Sequence, residues 1–268
     1  GKAAIMPFHK WLPAAMVAPT PVSALLHAVA VVKTGVFTIL KVTLYIFGSD
    51  FITSSGASDW IIWFAAVTIL LASLIAMTKD NLKARLAYST ISQLSYIVLG
   101  ALIAVEMSLV GASMHIAMHA FAKITLFFAA GAILVAAHKK NISDMGGLGR
   151  AMPFTFIAFT IGSLSIIGLP PFGGMWSKWY LALGMVQTEQ WILLAVLMMS
   201  SLLNIAYLLP ISVRAFFAKP KAGIVYTEVK EAPISMLIAI GLTSLACIVL
   251  FFYPDPFYNL AVDAATGR

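Results

Sequence analysis

Apolar residues run along this chain in long stretches divided by short polar turns, with neither the two-residue alternation of strands nor the one-sided stripe of a soluble helix. A helix crossing a bilayer needs about 20 mainly apolar residues. The pattern predicts a partial helix at the start, then seven spans at about 19–47, 59–78, 84–105, 108–137, 153–187, 190–217 and 233–252, with a C-terminal tail over 253–268. The fifth span is long and interrupted by Gly168, Leu169, Pro170, Pro171, Phe172, Gly173 and Gly174. Prolines and glycines there free backbone groups from the helical ladder. A broken helix hinged at Gly168, Pro170, Pro171, Gly173 and Gly174 is expected, either buried in protein or lining a wet cavity. The polar stretch 219–232 reads as a loop. The fold class is an all-α polytopic membrane protein.

Composition agrees. Of 268 residues, 61% are apolar and 10% charged, against about 45–50% and about 25% in soluble domains. The mean hydropathy is +0.97. Lys and Arg number 17 against 10 Asp and Glu, a net charge of +7. In a soluble protein that excess would suggest nucleic acid, but here most basic residues fall in short loops, and no RNA-binding signature accompanies them. With loops on alternating sides, one side holds Lys10, Lys79, Lys83, Arg85, Lys139, Lys140, Arg150, Arg214, Lys219, Lys221 and Lys230. The other holds Arg268 with Asp50, Asp59, Glu106, Glu189, Asp255 and Asp263. Such a bias places the basic loops in the cytoplasm, the C-terminus on the opposite face, and the chain in a cell inner membrane.

One cysteine, Cys247, excludes an internal disulfide framework, a Cys-rich zinc site and a Cys-held iron–sulfur cluster. No nucleophile triad, phosphate loop or haem-ligand pattern stands out, and Gly146-Gly147-Leu148-Gly149 follows no strand. No enzyme chemistry, cofactor or metal is expected in this chain. The first residue is not Met and no signal peptide opens the sequence, so a fragment of a longer protein is expected.

Removing loop and terminal charges leaves Lys2, Lys33, Lys41, Lys123, Lys178, His27, His115 and His119 inside predicted spans, with no Asp or Glu beside them. A mid-bilayer lysine costs about 2.5–3.5 kcal/mol on insertion scales, so several need a reason. Lys41 lies near a helix end and can snorkel to the interface. Lys33, halfway along its span, is harder to dismiss. His115, His119 and Lys123 are spaced i, i+4, i+8 and share one helix face. They read as a metal pair lacking a third ligand, as a structural histidine pair, or as a proton relay, since imidazole titrates near neutral pH. Lys178 follows the break by one turn, although Trp176 and Trp179 beside it could mark an interface belt. Softer stripes occur at Tyr88, Ser92 and Ser95 and at Ser200, Asn204 and Tyr207, where helix–helix glue is the plainer reading.

Longer motifs carry a resemblance. Gly1-Lys2-Ala3-Ala4, Pro7-Phe8-His9-Lys10-Trp11-Leu12-Pro13 and Ala18-Pro19-Thr20-Pro21-Val22-Ser23-Ala24-Leu25-Leu26-His27-Ala28 resemble the signature of antiporter-like subunits of respiratory complex I and of Mrp-type Na⁺/H⁺ antiporters. Leu86-Ala87-Tyr88-Ser89-Thr90-Ile91-Ser92-Gln93, His119-Ala120-Phe121-Ala122-Lys123 and Ser177-Lys178 follow in the same order. The resemblance implies a fourteen-helix fold of two inverted five-helix units. This chain would supply the end of the first unit (1–47), the second unit (59–217) and the final helix (233–252), together one membrane domain over 1–252. It also implies a proton relay of Lys2, His27, Lys33, His115, His119, Lys123 and Lys178, with an upstream glutamate pairing Lys2. Protons would pass Lys2, His27 and Lys33, reach Lys123 by way of the two histidines, and leave at Lys178.

The function expected is that of a proton-translocating transporter subunit in an Mrp-type cation/proton antiporter, for which His27 with Lys33 and Lys178 suggests the D-type subunit. Its partners would be other membrane subunits, protons, Na⁺ and lipid. The alternative host is complex I or a membrane-bound hydrogenase. More distant readings are a structural membrane subunit and a stand-alone anion transporter.

Overall fold

The computed structural model describes residues 1–56, 58–220, 226 and 229–266, and of residues 26–28 the backbone alone. The His27 side chain, Lys221 and Arg268 therefore lie outside the described residues.

Residues 1–10 form turns, and a short helix, Trp11–Ala14, follows. Pro7 removes an amide donor from this stretch, which helps keep the expected partial helix from running through it. Helix α1 covers 20–47, regular over Val31–Lys41 and wider-turned over Ser23–Ala30 and Val42–Phe47. Gly48, at φ 80°, ends it, and the short helix Ser49–Ser55 leaves at 87°. Then come α2 (Asp59–Thr78), α3 (Leu82–Ile103), α4 (Glu106–Ala137), α5 (Pro153–Ile167), α6 (Gly174–Gln187), α7 (Trp191–Phe217), α8 (Ile234–Phe252) and α9 (Asp255–Thr266).

Among the described residues, α2, α3, α4, α7 and α8 are long and apolar enough to cross a membrane, with a sixth if the bent pair Val31–Phe47 and Ser49–Ser55 counts as one span. Their bounds fall within two residues of the spans read from sequence. The other two predicted spans are interrupted: 19–47 by its wide turns, 153–187 by the break between α5 and α6. Residues 253–268, read as a tail, hold α9, which packs on α4 with Ala261 buried and Tyr258 stacked on Tyr180 at 5.3 Å.

The 32-residue α4 is central and touches α1, α3, α5, α6, α8 and α9. Small residues bring α4 and α6 together: a Cβ on Gly111 would lie 2.5 Å from the Leu181 nitrogen. Polarity is inverted relative to a soluble bundle. Trp60, Ile192, Leu202, Leu242 and Phe252 are exposed, while Gln93, Lys123 and Asn204 are fully buried. An apolar exterior suits lipid.

The loops confirm which helix ends gather. Leu82 N–H donates to the Lys140 carbonyl at 3.0 Å and Ile142 N–H to that of Asp80 at 2.9 Å. The Asp80 carboxylate accepts from Ser143 N–H and hydroxyl at 2.9 and 2.8 Å. Gly147 N–H donates to the Arg214 carbonyl, and Glu231 accepts from Phe154 N–H at 2.6 Å at the start of α5. Lys79, Lys83, Arg85, Lys139, Lys140, Arg150, Arg214 and Lys230 thus share one end, whereas Glu106 and Glu189 lie at the opposite ends of α4 and α6.

Candidate functional site

α4 presents His115, His119 and Lys123 along one face, at 2%, 1% and 0% exposure. α1 lays the buried Lys33 against them, and its ammonium nitrogen bonds His119 Nδ1. The His119 and His115 rings stack with centroids 5.6 Å apart. His115 uses both nitrogens: Nδ1 lies 2.8 Å from Ser177 Oγ on α6, and Nε2 lies 3.1 Å from Gln93 Oε1 on α3. Beyond Ser177 stands Lys178, donating to the Ile167 carbonyl at 3.0 Å and to Ser201 Oγ at 3.1 Å. Its nitrogen lies 5.2 Å from the centre of the Tyr96 ring, which is 5.7 Å from that of His115. Side chains therefore run without interruption from Lys33 to Lys178.

Lys123 heads a branch. Its ammonium donates to Ser89 Oγ at 2.6 Å and to the Leu86 carbonyl at 3.3 Å. Ser89 Oγ lies 2.9 Å from Tyr207 Oη, which bonds Asn204 Oδ1. Arg85 Nη1 donates to the Tyr207 carbonyl at 3.1 Å, so the branch runs toward the basic end of the bundle. Lys33 meets His119 first, so Lys123 is a side branch in this geometry rather than a station after both histidines.

Among the described residues no carboxylate partners Lys33, Lys123 or Lys178; their bonds go to imidazole, hydroxyl and carbonyl acceptors. Lys33, Lys123 and Lys178 all hold their ammonium groups in the interior around the His115–His119 pair. Far from water such charges couple strongly. Gln93 Nε2, His119 Nε2 and Asn204 Nδ2 are buried beside the string with no protein partner, the kind of atom that bridging water satisfies in protein interiors.

The break is built for Lys178. Gly168 sits at φ 89°, and a Cβ there would come within 2.8 Å of Lys178 Cδ. A Cβ on Gly174 would lie 1.9 Å from the Ser165 carbonyl oxygen, so only glycine lets α6 start against α5. Gly173 N–H donates to the Cys247 carbonyl of α8 at 2.8 Å. Of the two readings of the break, burial in protein holds for Phe172, Gly173 and Gly174, while Pro170 and Pro171 form an exposed tip. A cavity of about 400 Å³ opens beside it against Ile167, Lys178 and Ser201.

Lys2 stands apart from the string, exposed at the surface with its backbone packed over Gly35, where a Cβ would lie 2.6 Å from the Lys2 carbonyl carbon. Lys41 is exposed beside the Phe37 and Tyr45 rings. Within the stripe at Tyr88, Ser92 and Ser95, Ser92 joins Ser73 and Ser200 at 2.9 and 3.3 Å, in keeping with helix–helix glue, while Tyr88 lies under the Lys79 ammonium and Ser95 bonds back to Ile91. The α3 residues that meet the α4 string are Ser89, Gln93 and Tyr96, which the sequence reading did not single out as a site face.

Comparison with known proteins adds the lineage. The transmembrane family described as NADH:quinone oxidoreductase/Mrp antiporter matches residues 1–204. NADH-quinone oxidoreductase subunit N of Desulforudis audaxviator is 34% identical over 98% of this chain and 54% of its own length. NADH-ubiquinone oxidoreductase chain 5 of Sus scrofa is 38% identical over 82% of this chain and 36% of its own. A solved structure of the membrane-bound sulfane sulfur reductase, an archaeal respiratory membrane complex, superposes with TM-score 0.87 at 27% identity, over 99% of this chain and 53% of that one. The Mrp complex of Dietzia shares the fold, with TM-score 0.89 at 21% identity over 99% of this chain and 57% of that one. The chain spans about half the length of these relatives, and less of chain 5.

Proposed function

Because the chain belongs to the NADH:quinone oxidoreductase/Mrp antiporter transmembrane family, we propose that it is part of a proton-translocating subunit of a multisubunit membrane complex and that the buried lysine–histidine string is its proton relay. One observation carries the reading: Lys33, His119, His115, Ser177 and Lys178 follow one another in the interior with no carboxylate to hold the lysines as fixed ion pairs. An imidazole accepts a proton on one nitrogen and releases one from the other. Lys33 hands a proton to His119; His115 takes it up when its bond to Gln93 or Ser177 opens to bridging water, and water beside the Tyr96 ring passes it on to Lys178 at the break. The Lys123–Ser89–Tyr207 branch links the string to the basic end, which the positive-inside bias puts in the cytoplasm of an inner membrane. Lys178, beside the cavity at the break, is the gate to the other side. Repulsion between lysines in a low dielectric couples loading at one to release at another. Lys2, exposed in this structure, and His27, whose side chain lies outside the described residues, are proposed as members of the relay on the resemblance alone.

We assign the host as an Mrp-type Na⁺/H⁺ exchanger, on the combination of His27, Lys33 and Lys178. A redox-driven host is the second reading, favoured by the names of the subunit N and chain 5 relatives. The test takes the complete subunit in its complex, in sealed vesicles, with a pH-sensitive dye inside. Proton movement driven by a Na⁺ gradient supports the exchanger, and movement that requires quinone reduction supports the redox host. A Lys33→Ala complex that moves protons at the wild-type rate removes the relay under either host.

A further inference from the structure

At the basic end, away from the relay, a cavity of about 490 Å³ lies between the start of α1, the start of α3 and the end of α4. Lys83, Lys139 and Lys140 line it, and no Asp or Glu does. Lys83 and Lys140 are close enough to repel each other. Asp80, the nearest acid in sequence, is occupied by Ser143. Thr20, 6% exposed, also lines the cavity; its Oγ1 is buried with no hydrogen-bond partner, while its methyl carbon packs toward Gly131. Lys83 stands in the first turn of α3, at the positive end of that helix dipole, where Leu82 N–H is already held by the Lys140 carbonyl at 3.0 Å and Ala84 N–H by Asn81 Oδ1 at 3.1 Å. The rest of the wall is apolar, including Met16, Val17, Ala130 and Leu134.

We infer that this cavity binds a phosphate group, and that the phosphate is the headgroup of an anionic phospholipid. Three lysines with no acid among the lining residues and an unused buried hydroxyl answer the phosphate oxygens. Met16, Val17 and Leu134 answer the acyl chains, for which a free phosphate ion has no use. The position fits too, since basic residues at the cytoplasmic ends of membrane helices attract anionic lipid. The inference is independent of the relay, none of whose residues lines the cavity.

The experiment takes the complete complex, delipidated in a neutral detergent, and titrates it with dioleoylphosphatidylglycerol, dioleoylphosphatidylcholine or inorganic phosphate, reading bound lipid by native mass spectrometry. The phosphatidylglycerol is expected to bind more tightly than the phosphatidylcholine, with no competition from inorganic phosphate. A Lys139→Gln/Lys140→Gln variant should lose about fivefold in affinity per lysine. Lys83 also holds the Ala18 carbonyl at 2.6 Å, so the two lysines at the end of α4 carry the test without that bond being cut. Thr20→Val should weaken the same binding while leaving phosphatidylcholine unaffected. Equal binding of the two lipids, or unchanged binding in the double variant, overturns the site. Competition by inorganic phosphate at matched concentration overturns the lipid assignment and leaves an ion site.

Discussion

The Lys178 ammonium lies 3.0 Å from the carbonyl of Ile167, the residue at which α5 stops. Carbonyls in the last turn of a helix have no partner within it, and a cation there also meets the negative end of the helix dipole. The break thus creates an acceptor, and the lysine one turn into α6 fills it.

Charge and proton exchange at this position can be separated. Lys178→Arg keeps a donor for the Ile167 carbonyl, but a guanidinium does not give up its proton. The variant should assemble with a wild-type melting temperature and move protons at least ~10-fold more slowly in dye-loaded vesicles. Wild-type transport in it would remove Lys178 from the relay.

Lys123 and Ser89 should differ in degree. Lys123→Ala is expected to abolish transport with assembly intact. Ser89→Ala removes one hydroxyl from the branch, about 1 kcal/mol for a hydrogen bond, so transport should fall about fivefold. Loss of assembly in Lys123→Ala, with no change in transport per assembled complex, would favour a structural subunit.

Gly174→Ala forces a methyl group to 1.9 Å from the Ser165 carbonyl oxygen, a backbone atom that cannot swing aside. A destabilisation of about 3 kcal/mol or more is expected, visible as loss of the monodisperse peak in detergent chromatography. A normal peak would mean the break can re-form around a side chain.

Glu231 supplies a control remote from the relay. Its carboxylate accepts from Phe154 N–H at 2.6 Å, Thr155 N–H at 3.3 Å and the Thr155 hydroxyl at 2.7 Å, closing the first turn of α5. Glu231→Ala should cost roughly 1 kcal/mol, as helix caps do, and lower the melting temperature by a few degrees. Transport per folded complex should not change.

Sequence disclosed most of this site because α4 keeps regular spacing: His115, His119 and Lys123 needed only the helical period to fall on one face. The break at 168–174 was equally plain, since two prolines and three glycines have no place in a regular span. The contact of Lys33 with His119 crosses 86 residues and leaves no local trace. The site face of α3 went unread for another reason. Nearly every residue of α3 is buried, so polar residues occur around the whole helix, and no polarity gradient singled out Ser89, Gln93 and Tyr96 as the ones that meet α4. α9 went unread as a helix because Pro256, Asp255 and Asp263 suggest a solvated end, and its support comes from α4 and Tyr180.

The bond from Gly173 to Cys247 uses main-chain atoms on both sides, so the clasp between the break and α8 is indifferent to the thiol. Cys247→Ala would then keep the clasp and remove the one sulfhydryl of these 268 residues. Cysteine pairs then introduced on α5 and α6 become the attachment points within this stretch, where spin labels or fluorophores could follow the angle across the break while the protein turns over.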